Sequence, residues 1–255
     1  MTTVYFRFYA ELNALLPAKD RFRDIRQEFK GNQTIKHLIE SLGIPHTEVD
    51  LILANGSSVD FKYIPVEEDV ISVYPLFESF DITPLIRLRP CPLRESKFVL
   101  DGHLGRLAAY LRMLGFDSVY RNDFSDEELA LISLNENRIL LSRDRGLLKR
   151  SQVTHGYLIK TRDPRQQLLA VVRRFDLVSS FKQFSRCIAC NGKLESTSKE
   201  AVINHLEPRT LQYFEEFKQC AECGKVYWKG SHYERMIEFI DWVRKSSLNL
   251  VDKSL

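Results

Sequence analysis

The feature that most constrains the fold is an alternation of short apolar runs with amphipathic stretches between residues 97 and 176. KFVLD, DSVYR, RILLS and HGYLIK read as strands. GHLGRLAAYLRMLG, SDEELALISLNEN, the short RGLLKRS and DPRQQLLAVVRRF read as helices. In the first helix Leu104, Leu107, Ala108, Leu111 and Leu114 fall on one face, and Gly115 stops it. Ser125 with Glu128 three residues later is a capping box, and Asp163-Pro164 places a cap before a proline at the first helical position. Strands joined by helices imply an α/β unit with a mostly parallel sheet, right-handed crossovers and helices on both faces.

In such a sheet, ligands collect outside the carboxyl ends of the strands. Asp101 ends the first strand, Asp123 follows the second, Asp144 ends the third and Asp163 follows the fourth; Asp126 and Glu127 open the helix after the second. Crowded carboxylates repel one another, and a usual reason to assemble them is to hold Mg²⁺ or Mn²⁺. Such ions activate water and stabilise the leaving oxygen in phosphodiester hydrolysis. Arg106, Arg143 and Arg145 are placed to hold a nucleic-acid backbone. Structural readings stand beside these. Asp163 is more simply an N-cap, Asp126 and Glu127 suit a helix N-terminus, and Asp123 suits a loop. Asp101 could cap the next helix, and Asp144, between Arg143 and Arg145, could belong to a salt-bridged turn relieved by Gly146. Strand-end placement, without a good capping geometry at Asp144, favours Asp101 and Asp144 as the divalent-ion ligands.

Residues 1–80 have a different pattern. TVYFRFYA alternates with period two, QTIKHLIESLG is helical and closed by Gly43, Asn55-Gly56 marks a hairpin, and DVISVYPLF is a last strand. The order strand, strand, helix, strand, short strand, strand is the β-grasp pattern, and it resembles the ubiquitin-like sulfur carriers of the MoaD and ThiS type. Those carriers end in Gly-Gly, whereas this strand runs on into PLFESFDITP. The unit is therefore read as a docking or scaffold domain with a protein partner, not as a carrier. Residues 81–96, with three prolines and Cys91, form a semi-rigid connector.

CIAC at 187–190 and CAEC at 220–223 lie 29 residues apart. Cys187, Cys190, Cys220 and Cys223 can meet as one tetrahedral, structural zinc site per chain. Neither pair sits between a strand and a helix as a thioredoxin-like redox motif would. Gly192 and Gly224 follow the pairs where the turns need positive φ, and TLQYFEEF reads as a helix inserted between the knuckles. In GKVYWKGSHYERM, aromatics alternate with bases. Trp228 and Lys229 suit stacking and phosphate contact on RNA, although Tyr227 and Trp228 could also pack the ribbon. A terminal helix, YERMIEFIDWVRKS, carries an apolar face of Met236, Phe239, Ile240 and Val243.

FVLDGHLGRLAAYLRMLGFDSVYRNDFSDEELA, RILLSRDRGLLKR and the two cysteine pairs together resemble the Mut-seven C-terminal RNase family, a branch of the PIN-like nucleases followed by its own zinc ribbon. The β-grasp unit resembles the ubiquitin-like domain often fused ahead of it. The resemblance implies Asp101, Asp126 and Asp144 as active-site acids, with Asp123 as a fourth. The organisation expected is a β-grasp domain over 1–80, a connector over 81–96, a PIN-like RNase domain over 97–180, and a zinc ribbon with a terminal helix over 181–255. The function expected is metal-dependent hydrolysis of RNA phosphodiesters; the alternative is a non-catalytic RNA-binding adaptor. Charge agrees with a division of labour. Residues 1–80 carry 8 Lys/Arg against 12 Asp/Glu, whereas residues 97–180 have a net charge of +4 and residues 181–255 of +2. No run of about eighteen apolar residues spans a membrane, no signal peptide is evident, and the paired cysteines suit the reducing cytoplasm.

Overall fold

A computed structural model describes residues 1–75 and 96–248. Cys91 and all of the proline-rich connector except Ser96 lie outside the described residues, as do 249–255.

The first strand, β1 (Thr2–Phe8), buries Val4, Phe6 and Phe8 on one face, as its period-two pattern requires. β2 (Ile25–Phe29) pairs with it antiparallel. Helix α1 (Ile35–Ser41) starts at Thr34, whose side chain accepts from the His37 N–H, and buries Ile35, Leu38 and Ile39. It is closed by Gly43 at φ +95°. β3 (Val49–Ala54) turns into β4 (Ser57–Ser58) through Asn55 and Gly56, both at positive φ as a tight hairpin of this twist demands. β5 (Val70–Pro75) completes a sheet of order β2-β1-β5-β3-β4, with β1 and β5 parallel at its centre. The loop before β5 is organised by Asp69. Its carboxylate accepts from Asn55 Nδ2 (2.7 Å), the Tyr63 hydroxyl (2.8 Å) and the Val66 N–H (2.8 Å).

The α/β segment follows the expected order. β6 (Phe98–Leu100) leads through a 3₁₀ turn into α2 (Gly105–Met113), then β7 (Ser118–Tyr120), which pairs parallel with β6. Helix α3 (Asp126–Asn135) opens with the capping box, since the Ser125 side chain and the Glu128 side chain each bond the other's backbone N–H. β8 (Ile139–Ser142), α4 (Arg145–Leu148) and β9 (Gly156–Leu158) come next, and β8 and β9 are also parallel. Helix α5 (Pro164–Arg174) is capped by Asp163, which accepts from the N–H groups of Arg165 and Gln166. Every residue of β6 and β8 is buried, the pattern of strands covered on both faces.

The cysteine-bearing segment forms a three-stranded antiparallel sheet of order β10-β11-β12. Its elements are β10 (Leu194–Thr197), α6 (Lys199–Val202), α7 (Pro208–Tyr213), β11 (Phe217–Cys220) and β12 (Val226–Trp228). The helix expected over TLQYFEEF ends early. Phe214 is already extended, because Phe217 must enter the sheet opposite Thr197 and Trp228. Helix α8 (Ser231–Leu248) buries Ile240 and Val243, sets Phe239 4.8 Å from the Tyr110 ring, and takes a bond from Arg173 to the Ser246 carbonyl.

The described residues make two compact units. One comprises those of Met1–Glu95 with Phe124–Leu158, the other those of Ser96–Asp123 with Ile159–Leu255. Within the first, the β-grasp sheet and the β8-α4-β9 stretch are joined by buried polar contacts. His46 Nε2–H donates to the Val153 carbonyl (2.8 Å), while His46 Nδ1 lies 2.8 Å from Glu40 Oε1. Glu48, 2% exposed, accepts from the Leu158 N–H (2.8 Å). Lys149 Nζ donates to the Glu40 carbonyl.

Candidate functional site

The four cysteines converge. All four sulfurs lie within 4.8 Å of one another, with Cys187 to Cys223 at 3.7 Å and Cys190 to Cys220 at 3.4 Å. A tetrahedral zinc with bonds of about 2.3 Å needs its sulfurs about 3.8 Å apart, so the quartet fits the ion. The two knuckles are built alike. The N–H of Asn191 donates to the Cys187 carbonyl, and that of Gly224 to the Cys220 carbonyl. Both donors have positive φ, +77° and +71°. The left-handed residue of the first knuckle is therefore Asn191 and not Gly192, as the glycine count had implied. Gly192 answers a different need, since a Cβ there would lie 2.7 Å from Cys220 Sγ. Asn191 also earns its identity through its side chain, which accepts from the Ser118 N–H and donates to Asp117.

The two thiols of the first knuckle are shifted in opposite directions. Burial pushes the Cys187 thiol up, but bonds from the Tyr227 hydroxyl and the backbone of Cys190 and Ala189 outweigh it and bring the thiol down to about 6. Cys190 is pushed up to about 12, by burial first and then by its neighbouring thiols. Four thiolates packed this closely are sustainable only with a metal between them. Behind the first knuckle lies Arg112, 4% exposed, which donates to the carbonyls of Ser118 (2.9 Å), Ile188 (3.1 Å) and Ala189 (2.8 Å). Burial lowers its pKa, while Cys190 and Cys187 oppose that shift.

The acids fall into the two units. Asp101 caps the 3₁₀ turn after β6 through its backbone carbonyl, which accepts from the Leu104 N–H; no side-chain capping bond forms. Asp123, in the same unit, pairs with Arg121. In the other unit Asp126 lies 3.8 Å from Arg150, in the first turn of α3. Asp144 does cap α4, contrary to the expectation from its sequence setting. Its Oδ1 accepts from the Gly146 N–H at 2.6 Å, because β8 ends at Ser142 and a new helix begins at once. That bond takes one of about four lone-pair sites on the carboxylate and leaves capacity for an ion. Arg106 and Arg143 are exposed. Arg145 donates to the Leu15 carbonyl at 3.3 Å, so it also serves the β-grasp contact. Trp228 is 38% exposed, and Lys229 pairs with Glu216. Tyr227 does pack the ribbon, with its hydroxyl 3.1 Å from Cys187 Sγ.

The family model described as the Mut7-C RNAse domain matches residues 96–240, more than half of the chain. The chain belongs to this family. The model described as Mut7-C ubiquitin matches residues 1–81, ahead of the Mut7-C RNAse match. No curated protein and no solved structure matches the chain significantly. No helix among the described residues is long and apolar enough to cross a membrane. Within the stretch matching the Mut7-C RNAse domain, the cysteine quartet could hold a metal ion, and the residues that brace it, Arg112 and Asn191, escaped the motif. A signal for Arg112 was present: a guanidinium between Leu111 and Met113, one turn after the buried Ala108.

Proposed function

We propose that this Mut7-C chain is a metal-dependent ribonuclease that hydrolyses RNA phosphodiesters, with Asp101, Asp123, Asp126 and Asp144 as the acids and a PIN-like arrangement of its parallel strands. The observation that carries the reading is the RNAse-family match over a segment in which Asp101 directly follows the buried strand β6 and Asp144 stands two residues past the buried strand β8. Asp101 and Asp144 would hold Mg²⁺ or Mn²⁺, which when bound supplies an activated water and charge neutralisation at the scissile phosphate. Asp123 and Asp126 add negative charge that favours cation over anion at the strand ends. Arg106, Arg143 and Arg145 hold the phosphates, and a structural zinc on Cys187, Cys190, Cys220 and Cys223 keeps the ribbon folded. The β-grasp unit, without a terminal Gly-Gly, is proposed as a docking domain for a protein partner, and the cytoplasm as the site of action.

Asp144→Asn tests the site. Asparagine caps helices about as well as aspartate, so the Gly146 bond and the fold are retained. Mn²⁺-dependent cleavage should fall by orders of magnitude, and Asp101→Asn should behave alike. Unchanged cleavage in both variants would exclude the acids as drawn. A non-catalytic RNA-binding adaptor is favoured by one observation: Asp123, Asp126 and Asp144 each have an intramolecular partner in Arg121, Arg150 and Gly146. Salt-sensitive RNA binding without cleavage by the parent on any RNA would select it.

A further inference from the structure

Beside the cysteine quartet, the ribbon and the start of α8 enclose a cavity of about 420 Å³ that the acids do not use. Its walls include Phe184, Tyr227, Trp228 and Tyr233, and its rim carries Arg186, Lys218 and Lys229 against Glu215 and Glu216. We infer that this cavity binds one unpaired nucleotide of single-stranded RNA, its base stacked on Trp228 and its phosphate held by Lys229 and Lys218. The inference rests on the reading of the chain as a protein that acts on RNA, but not on the acids.

Three features argue for it. The volume lies within the range of small-ligand sites, about 300–1,000 Å³, and the aromatic walls suit a planar base. The Trp228 ring is exposed and lies close against the backbone of Gly230. A Cβ at residue 230 would lie 3.0 Å from the indole Nε1, tighter than ordinary contact, and the Gly230 N–H donates to the Trp228 carbonyl. A stacking platform that is already oriented loses little freedom on binding. The third feature is charge. Arg186 is paired with Asp117 and Glu215 with Lys199, while Lys218, on the same rim as Lys229, donates to the Phe184 carbonyl. The Lys229–Glu216 pair is an exposed one of the kind that yields readily to a phosphate. Tyr227 forms a wall whose hydroxyl reaches Cys187, which fixes the cavity to the metal quartet. A paired base in a duplex keeps its faces inside the stack and has no access to such a cavity.

The test uses the full chain carrying Asp144→Asn, to prevent cleavage, with hexaadenylate, a twelve-base-pair RNA duplex, AMP and an acidic peptide as probes. Hexaadenylate should bind and quench tryptophan fluorescence. Trp228→Ala should weaken its binding about tenfold or more, Trp228→Phe should restore most of it, and Lys229→Ala should weaken it and lower its salt dependence. Zinc content should stay at one per chain in each variant; if Trp228→Ala loses zinc, Trp228→Phe and Lys229→Ala decide. Duplex binding should not depend on Trp228. Unaltered hexaadenylate affinity in Trp228→Ala with zinc retained would overturn the inference. So would AMP binding that is indifferent to Trp228→Ala, or a Trp228-dependent response to the peptide alone. Cleavage that depends on Asp144 but not on Trp228 would sink this site and leave the nuclease reading standing. Trp228-dependent binding by a chain that never cleaves would do the reverse.

Discussion

Arg112→Met removes a buried cation while keeping most of its volume. The guanidinium serves three carbonyls, two of them inside the first cysteine knuckle at Ile188 and Ala189 and the third at Ser118 beside the anchor of Asn191. Methionine serves none. A buried carbonyl left without a donor costs about 1–3 kcal/mol, and water entering the gap recovers part of that. The expected loss for the second unit is about 3–5 kcal/mol, in the range for breaking a buried charged network and a large share of a typical domain stability of about 5–15 kcal/mol. The knuckle should also bind its metal less tightly, since the loop geometry and a compensating positive charge go together. Urea unfolding followed by circular dichroism, with zinc release read by a chromogenic chelator in the same titration, measures both. Arg112→Lys supplies one point donor in place of a fork and should recover only part of the loss. A penalty below about 1 kcal/mol with zinc retained would refute the view that Arg112 holds the knuckle in place.

Three further outcomes are expected. Cys223→Ala should abolish the single zinc and destabilise the ribbon, while amide-exchange protection in β1 and β5 persists; loss of protection in both regions would contradict this. Arg143→Gln should flatten the dependence of RNA affinity on salt by about one unit or less, read from binding isotherms between low and physiological salt; an unchanged slope would remove Arg143 from the phosphate surface. The Tyr63 hydroxyl has its pKa raised above 10.0 by burial and then by its bond to Asp69. The folded chain thus holds this proton more tightly than the unfolded one. The stabilisation is complete below pH 10 and is lost as pH rises through the folded value. Tyr63→Phe should show a shallower alkaline loss of stability in pH-dependent melting, and an identical slope would refute the assignment.

The sequence was legible wherever the decisive interaction is local. The Ser125–Glu128 box, the Asp163-Pro164 cap, the Asn55-Gly56 turn and the cysteine spacing each specify geometry within a few residues, and the structure contains them all. The cap at Asp144 was missed although the short helix was placed from Arg145, because flanking arginines in RDRG suggest a salt-bridged turn more readily than a bond to the Gly146 N–H. Asn191 was passed over because glycine is the usual bearer of positive φ, although asparagine tolerates it and here adds two side-chain bonds. His46 and Glu48 had no signal at all. Their partners, Val153 and Leu158, lie more than a hundred positions away, and nothing in HTE announces burial.

That separation affects how the chain is made. The β-grasp strands can pair as they leave the ribosome, since their contacts are closed by residue 75. Glu48, however, waits for an N–H that is 110 residues downstream. At about 5–20 residues per second, this is a delay of roughly 5–20 s, during which a carboxylate destined for burial stays hydrated at the surface of an otherwise paired sheet. A nascent chain that stalls before Leu158 therefore displays an unfinished face around His46 and Glu48, whose partners at Val153 and Leu158 have not yet taken their places.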